Sequence, residues 1–509
     1  MKKSKAQPDL LGMDDDDLIV APTVPIVASI VPVVAPTPSC DDRIMPSAVI
    51  YRGHVTDALR AMPDQSVQCI ITSPPYWGLR DYKCEPIIWG GDTECDHRWG
   101  PELIREMDVR TRAGGTQNSA FGSVPSHRNT IAPSLASRGA FCSTCSAWRG
   151  ALGLEPTPEM FVEHLVIILR EACSVLRNDG VLFLNIGDSY SSGAMTGASG
   201  PNSIMTAGLR PKNLIGIPWM LAFALRADGW YLRSDIIWAK GISFCESYSG
   251  SAMPESITDR PTKGHEYVFM LTKSERYFWD IEAAKERSPS DVSAVASKTE
   301  DTECDGARNI RSVWAINPVG FDGEFCTACR RFFDGPLMNL IRVVKRGISS
   351  KHDRGGEVGH RSGSFGSGPS PEDVNPQAER DIHICPCGAS DAWLSHFAPF
   401  PEDLVLPMVK AATSEIGCCV ACGAPWERAN TETIGWRPTC TCGVNRFKPS
   451  VVLDPFTGAG TTAMVSLKLG RSFIGAELNS DYADMAAARV RHDAPLFNNV
   501  RVLDITDRR

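Results

Sequence analysis

A short apolar run at residues 451–453 is followed at once by Asp454-Pro455-Phe456-Thr457-Gly458-Ala459-Gly460 and then by a helical pattern over 461–469. Strand, glycine turn and helix in this order build parallel sheets, because the glycines let the chain turn tightly and let a ligand approach its backbone. The next apolar run, 472–476, ends at Glu477, a spacing that suits a carboxylate on the hydroxyls of a ribose. The triple-glycine dinucleotide fingerprint is missing, so NAD fits poorly. Far upstream, the run 67–71 delivers Thr72-Ser73-Pro74-Pro75-Tyr76-Trp77 to what should be the carboxyl edge of the same sheet, where α/β enzymes hold their ligands. Two prolines stiffen this segment and push the residues before them to extended geometry. The Ser73 hydroxyl and the Pro74 carbonyl can then both accept from one amino group, while Tyr76 stacks on the ring that carries it. Such a grip suits an exocyclic amine of a base, aimed at an electrophile by positioning more than by acid–base chemistry. Standing alone, the same residues would read as a proline turn capping the core.

Between these motifs helices and strands alternate, which predicts an α/β fold with a mostly parallel sheet covered on both faces. Strands are expected at 49–51, 181–186 and 231–238. An antiparallel pair at 267–271 and 277–279 is expected to finish the sheet. Thr157-Pro158-Glu159 has the N-cap hydroxyl, the proline and the acid of a helix start. Phe161, Leu165, Ile168, Ala172 and Val175 then share one face, and Asn178-Asp179-Gly180 is expected to end the helix. Further helices are expected at 56–62, 214–227, 480–491 and from about residue 400 to 412. Asp188 ends one strand and reads equally as a contact to ligand or as a turn or helix cap. His265, in Lys263-Gly264-His265-Glu266, reads as structural.

The 509 residues suffice for a large core or several domains, and 43% hydrophobic content is that of a soluble globular chain. Residues 1–46 read as a disordered Val/Ala/Pro-rich tail: its apolar stretch is broken by Pro22, Pro25 and Pro32 and follows an acidic run, unlike a membrane span or secretory signal. A net charge of −8 gives no overall attraction to nucleic acid. Charge is uneven, however. Residues 330–361 hold eight Lys/Arg against three Asp/Glu, and residues 98–149 hold seven Arg against three acids. Each patch suits either phosphate contact or a solvated face.

Eighteen cysteines without a secretory signal suggest a reducing compartment and metal rather than disulfides. Eleven of them and one histidine sort into three sets: Cys95, His97, Cys142 and Cys145; Cys326, Cys329, Cys385 and Cys387; Cys419, Cys422, Cys440 and Cys442. Each set joins a C-x-x-C to a C-x-C or C-x-H. Two such chelating turns close a tetrahedral shell, so zinc is expected in all three, as a staple for insertions without a core of their own. Cys418 adjoins Cys419 and competes with it as the ligand.

Thr72-Ser73-Pro74-Pro75-Tyr76 together with Asp454-Pro455-Phe456-Thr457-Gly458-Ala459-Gly460 resembles the amino-group DNA methyltransferases that act on cytosine N4 or adenine N6. With the catalytic motif ahead of the cofactor motif, the order is similar to that of their β subgroup. The resemblance spans most of 48–290 and 396–492, including residues 229–238 and 396–401. It implies a Rossmann-like, S-adenosylmethionine-dependent methyltransferase sheet in circularly permuted motif order, here with zinc-stapled insertions. It also implies catalytic roles for Ser73, Pro74, Pro75 and Tyr76, and cofactor binding by Asp454, Pro455, Phe456, Gly458, Gly460, Thr461 and Glu477. Where relatives often carry Gly-Asp, this chain has Gly53-His54, so an acidic cofactor contact is absent or moved to Asp57.

The expected organisation is therefore a tail (1–46), a catalytic half (47–290) with a zinc insertion at 95–149, a target-recognition insertion (291–395), and a cofactor half (396–509) with a zinc insertion at 418–446. The expected activity is methyl transfer to a flipped base in double-stranded DNA, by a cytoplasmic enzyme that is bacterial or phage-encoded. Serine before Pro-Pro-Tyr leans toward cytosine N4, since adenine enzymes more often have Asp or Asn there. Adenine N6, a zinc-containing DNA binder without activity, and RNA or protein methylation stay open. So do a partner restriction endonuclease and the oligomeric state.

Overall fold

The structure is a computed structural model and describes residues 44–106, 135–191, 210–287, 307–346, 380–429, 435–493 and 499–505, apart from a few isolated positions. Most of the expected tail, residues 347–361 of the basic stretch and residues 396–398 of the resembling segment lie outside the described residues.

One nine-stranded sheet organises the chain. In chain order its strands are β1 (Ser47–Arg52), β2 (Val67–Thr72), β3 (Leu176–Ile186), β4 (Tyr231–Ala239), β5 (His265–Thr272), β6 (Val313–Ala315), β7 (Val451–Asp454), β8 (Ser472–Glu477) and β9 (Asn499–Asp504). They lie in the order β6-β4-β5-β3-β2-β7-β8-β1-β9. All pairings are parallel except those of β5 with β3 and β4. Along β3, Leu182, Leu184 and Ile186 face helices α1 (Val55–Arg60), α2 (Pro158–Val175) and α3 (Ile217–Ala227), while Val181 and Phe183 face α4 (Glu402–Ala412). Helices α5 (Thr461–Lys468) and α6 (Ser480–Asp493) cover the far half of that second face. Burial on both faces is why the strands read as continuous apolar runs instead of alternating ones.

Helix α2 starts as its sequence dictates: Thr157 accepts from Met160 N at 3.3 Å, and Pro158 stands in the first turn. Phe161, Leu165, Ile168, Ala172 and Val175 are fully buried. Its end differs from expectation. The helix stops at Val175, and Asn178-Asp179-Gly180 lies within β3, where the pairing to β2 slips from Val67↔Leu176 to Cys69↔Val181. Arg177 pairs with Asp179 at 2.8 Å, so this polar segment is held as an irregular strand and not as a helix cap.

Residues 277–279 do not pair as a strand, because β5 is already flanked on both sides. Phe278 N instead donates to Asp179 O and Asp280 N to Ala411 O, each at 2.8 Å, and Tyr277 and Trp279 pack on the α4 side of the core. The edge strands β6 and β9 have no distinct sequence signal. β6 is three residues long and β9 alternates with exposed positions.

Phe183 is 1% exposed at the centre of the sheet. Phe183→Ala is expected to cost about 3–5 kcal/mol, read by urea unfolding.

Candidate active site

Strands β2 and β7 lie side by side, with Cys69 opposite Val452 and Ile70 opposite Leu453. The chain leaving β2 next packs through α2 on one face, whereas β7 continues into α5 on the other. Adjacent parallel strands whose connections diverge open a crevice at their carboxyl ends, the usual ligand site of such sheets. Both sequence motifs emerge there.

Asp454 ties them together. Thr72 Oγ1 donates to its Oδ1 at 2.8 Å, Thr462 Oγ1 donates to its Oδ2 at 2.8 Å, and Phe456 N donates to Oδ1 at 3.1 Å. The group is 1% exposed, and burial pushes its carboxyl up to about 7 against the opposing pull of these donors. Pro455 is buried and Phe456 half-buried. Gly460 begins α5 in the left-handed region, φ 76°, and a Cβ there would stand 3.1 Å from that of Ala486. Thr461 is buried and accepts from Arg489 Nη1 at 3.1 Å. Glu477, at the end of β8, accepts from Gly458 N at 2.9 Å and from Asn479 N at 3.0 Å, and burial raises its pKa. Its carbonyl accepts from Gly53 N at 3.0 Å, which brings the end of β1 alongside. There His54 caps α1, its Nδ1 accepting from Thr56 N, and Asp57 is exposed in the first turn.

On the other side of the crevice Pro74 is buried, while Ser73, Pro75 and Tyr76 are half-buried. The Tyr76 ring packs on Gly187, where a Cβ would come within 2.5 Å. Its hydroxyl lies 2.7 Å from Glu266 Oε2, 3.1 Å from Asn185 Oδ1 and 3.5 Å from Ser73 Oγ. Burial, then the Glu266 charge, drives the phenol pKa well above its ordinary value. Lys240 Nζ pairs with the other Glu266 oxygen. Asn185, Lys240 and Glu266 escaped sequence reasoning. The one available signal was the Lys263-Gly264-His265-Glu266 segment, whose His265 reads as structural. That imidazole stands edge-on to Tyr267 at 5.2 Å and takes no part in the crevice network. Asp188 caps α3, accepting from Gly216 N at 3.0 Å and Ile217 N at 3.2 Å.

The Ser73-to-Tyr76 loop is also braced from behind. Trp77 Nε1 donates to Glu155 O at 2.9 Å and Gly78 N to Gly153 O at 2.8 Å. Glu155 is fully buried and pairs with His164 at 2.9 Å, whose ring stacks on Trp89 and Trp148.

All three Cys/His sets converge, with the ligand atoms of each within 4.8 Å of one another. Cys95 and Cys142 sulfurs are 4.0 Å apart, Cys326 and Cys387 3.9 Å, Cys329 and Cys385 3.6 Å, and Cys145 Sγ is 3.3 Å from His97 Nδ1. Sulfurs about 2.3 Å from a tetrahedral centre stand about 3.8 Å apart, so the spacing fits such an ion. Cys418 turns instead to Pro449 O at 3.8 Å, leaving Cys419 in the set. The second module rests Phe325 and Phe332 against Ala459 of the glycine loop and against Tyr482 and Met485 of α6. Arg330, first of the basic stretch, is taken up by Asp481 and Asp484 at 2.7 and 2.9 Å. The third module sits at the opposite end of β2, where Gln68 Nε2 donates to Gly423 O at 3.0 Å.

A family model for DNA methylase matches residues 67–488. The chain belongs to that family: it is an S-adenosylmethionine-dependent DNA methyltransferase of the cytosine-N4 or adenine-N6 type, acting on an exocyclic amine. Type II methyltransferase M.Cfr9I of Citrobacter freundii is 29% identical over 456 residues, 87% of this chain and 88% of that protein. M.SmaI of Serratia marcescens is 26% identical over 464 residues, 89% and 94% of the two chains. The solved PvuII DNA methyltransferase (cytosine-N4-specific) aligns over 91% of this chain and 98% of its own, at 13% identity and a TM-score of 0.41. Among the described residues no helix is long and apolar enough to cross a membrane.

Asp454 has a folded-state pKa above its unfolded value. Its contribution to stability is therefore full below about pH 4 and is lost as pH rises through about 7. Asp454→Asn removes that dependence, so the stability gap between parent and variant should be widest in acid and narrow toward alkaline pH. Urea unfolding at about pH 5 and about pH 8 reads the gap, and one that widens with pH would contradict this.

Proposed function

We propose that the target is cytosine N4 in double-stranded DNA. The observation that carries this is the neutral Ser73 hydroxyl, at the position where adenine enzymes more often hold Asp or Asn, set 3.5 Å from Tyr76 OH in a half-buried crevice. A base in a duplex cannot present its amine, so it is flipped into the crevice at a cost of a few kcal/mol. Ser73 Oγ and Pro74 O then accept its two N–H groups, and Tyr76 stacks on the ring. Drawing both hydrogens aside leaves the nitrogen lone pair aimed across the crevice and eases the positive charge that builds on the amine. Its proton leaves to solvent.

S-adenosylmethionine supplies the sulfonium methyl. The residues opposite Ser73 fit it: Gly458 and Gly460 keep the loop open to a nucleoside, and Pro455, Phe456 and Thr461 shape its wall. Glu477 offers a carboxylate at the loop's edge. Asp454 acts in this site as the brace of the loop, since both of its oxygens are spent within the protein. Zinc in the three closed Cys/His sets would be structural, as four protein ligands leave no open position. The 291–395 region is proposed to read the target, with residues 1–46 as a tail, 47–290 as the catalytic half and 396–509 as the cofactor half. A cytoplasmic enzyme protecting DNA from a cognate endonuclease agrees with relatives named Type II methyltransferases.

Nucleoside mass spectrometry of DNA from a host expressing the chain should show N4-methylcytosine. N6-methyladenine in its place would reassign the base. Tyr76→Ala should lose roughly 1–3 kcal/mol of base stacking, measured as weaker binding of a flipped-base duplex. Glu477→Ala should weaken S-adenosylmethionine binding by calorimetry with an unchanged melting temperature. Metal analysis of protein purified without chelator should find one zinc for each set, and its absence would remove zinc from the fold.

A further inference from the structure

The hydroxyl of Tyr76 has one proton and three oxygens around it. Glu266 Oε2, at 2.7 Å, is a carboxylate oxygen and can only accept; it is also the shortest contact, so it takes the phenol proton. Asn185 is oriented by its own amide, which donates to Tyr267 O at 3.1 Å and to Glu266 Oε2 at 3.3 Å, so its carbonyl faces the phenol and is likewise an acceptor. Of the three, Ser73 alone has a proton to give to the phenolic oxygen. The direction of the chain is thereby set from its far end: Ser73 donates to Tyr76, and Tyr76 donates to Glu266.

We infer that Glu266 is a positioning residue for methyl transfer, fixing this hydrogen-bond direction so that Ser73 turns its lone pairs, and not its proton, toward the target amine. This rests on the reading of Ser73 as the amine's acceptor. The carboxylate is well held for the task. Its other oxygen is paired with Lys240, whose ammonium lies 4.4 Å from the centre of the Trp238 ring, and Glu266 sits opposite Trp238 in the β4–β5 pairing. A hydroxyl turned the other way would point a proton at the amine's own hydrogens and fail to orient its lone pair.

Glu266→Gln offers Tyr76 an N–H as readily as a carbonyl, so the direction is no longer enforced. Turnover should fall by about tenfold to a hundredfold, the scale of a misoriented reacting group, while S-adenosylmethionine affinity and melting temperature stay at parent values. Tyr76→Phe keeps the ring but deletes the relay, and should show a similar loss. The decisive measurement is the double variant. If Glu266 acts through Tyr76, adding Glu266→Gln to Tyr76→Phe costs nothing further, whereas a residue that only supports the fold gives losses that multiply. Multiplying losses, or parent turnover in either single variant, overturns the inference. Should Glu266→Gln fail to bind S-adenosylmethionine, Glu266→Asp, which keeps the charge but shortens the reach, goes through the same cycle with the same two outcomes. Loss of Ser73's own role would appear separately, as parent turnover in Ser73→Ala.

Discussion

The buried carboxylate of Asp454 is the joint on which the active site depends. One oxygen receives Thr72 at the end of β2 and the other receives Thr462 in the first turn of α5. Residues far apart in sequence are thus clamped across the gap between neighbouring strands, and the Ser73-to-Tyr76 loop and the glycine loop are set against each other. The cost is a desolvated acid whose pKa is pushed to about 7. Three hydrogen bonds offset that burial, since an unpaired acid in such a place would be strongly destabilising.

The insertions work outward from this joint. The segment leaving the first Cys/His module holds the back of the Ser73-to-Tyr76 loop through Gly153 and Glu155. The second module packs Phe325 and Phe332 on the glycine loop and α6. The third is fastened to the starts of β2 and β3 by Gln68 and Arg177, remote from the crevice. Two of the three are therefore built into the support of the site and not merely hung on the sheet.

Much of this was legible in the residues. Thr157-Pro158-Glu159 starts α2 because capping is a local matter, settled by a hydroxyl and the next few backbone groups. The Cys/His sets were legible because tight chelating turns carry their own spacing. Asn178-Asp179-Gly180 misled for the converse reason: its turn-forming residues are recruited into β3 by pairing with a strand that is remote in sequence. Residues 277–279 have a strand's composition, yet β5 offers them no free edge. Asp188, open to two readings, was decided by the arrival of the α3 amino terminus.

By itself the sequence determined the alternation of helix and strand, the two motif loops and their residue types, because these depend on local periodicity and on the chemistry of single side chains. Only the tertiary structure decided which strands are neighbours, and hence that β2 and β7 share the crevice. It alone brought Asn185 of β3 and Glu266 of β5 to one phenolic oxygen, and Lys240, just past β4, to the other oxygen of Glu266. Hydrogen-bond direction is a property of that assembled set: a tyrosine carries no mark of which oxygen will take its proton until the fold has placed a carboxylate beside it.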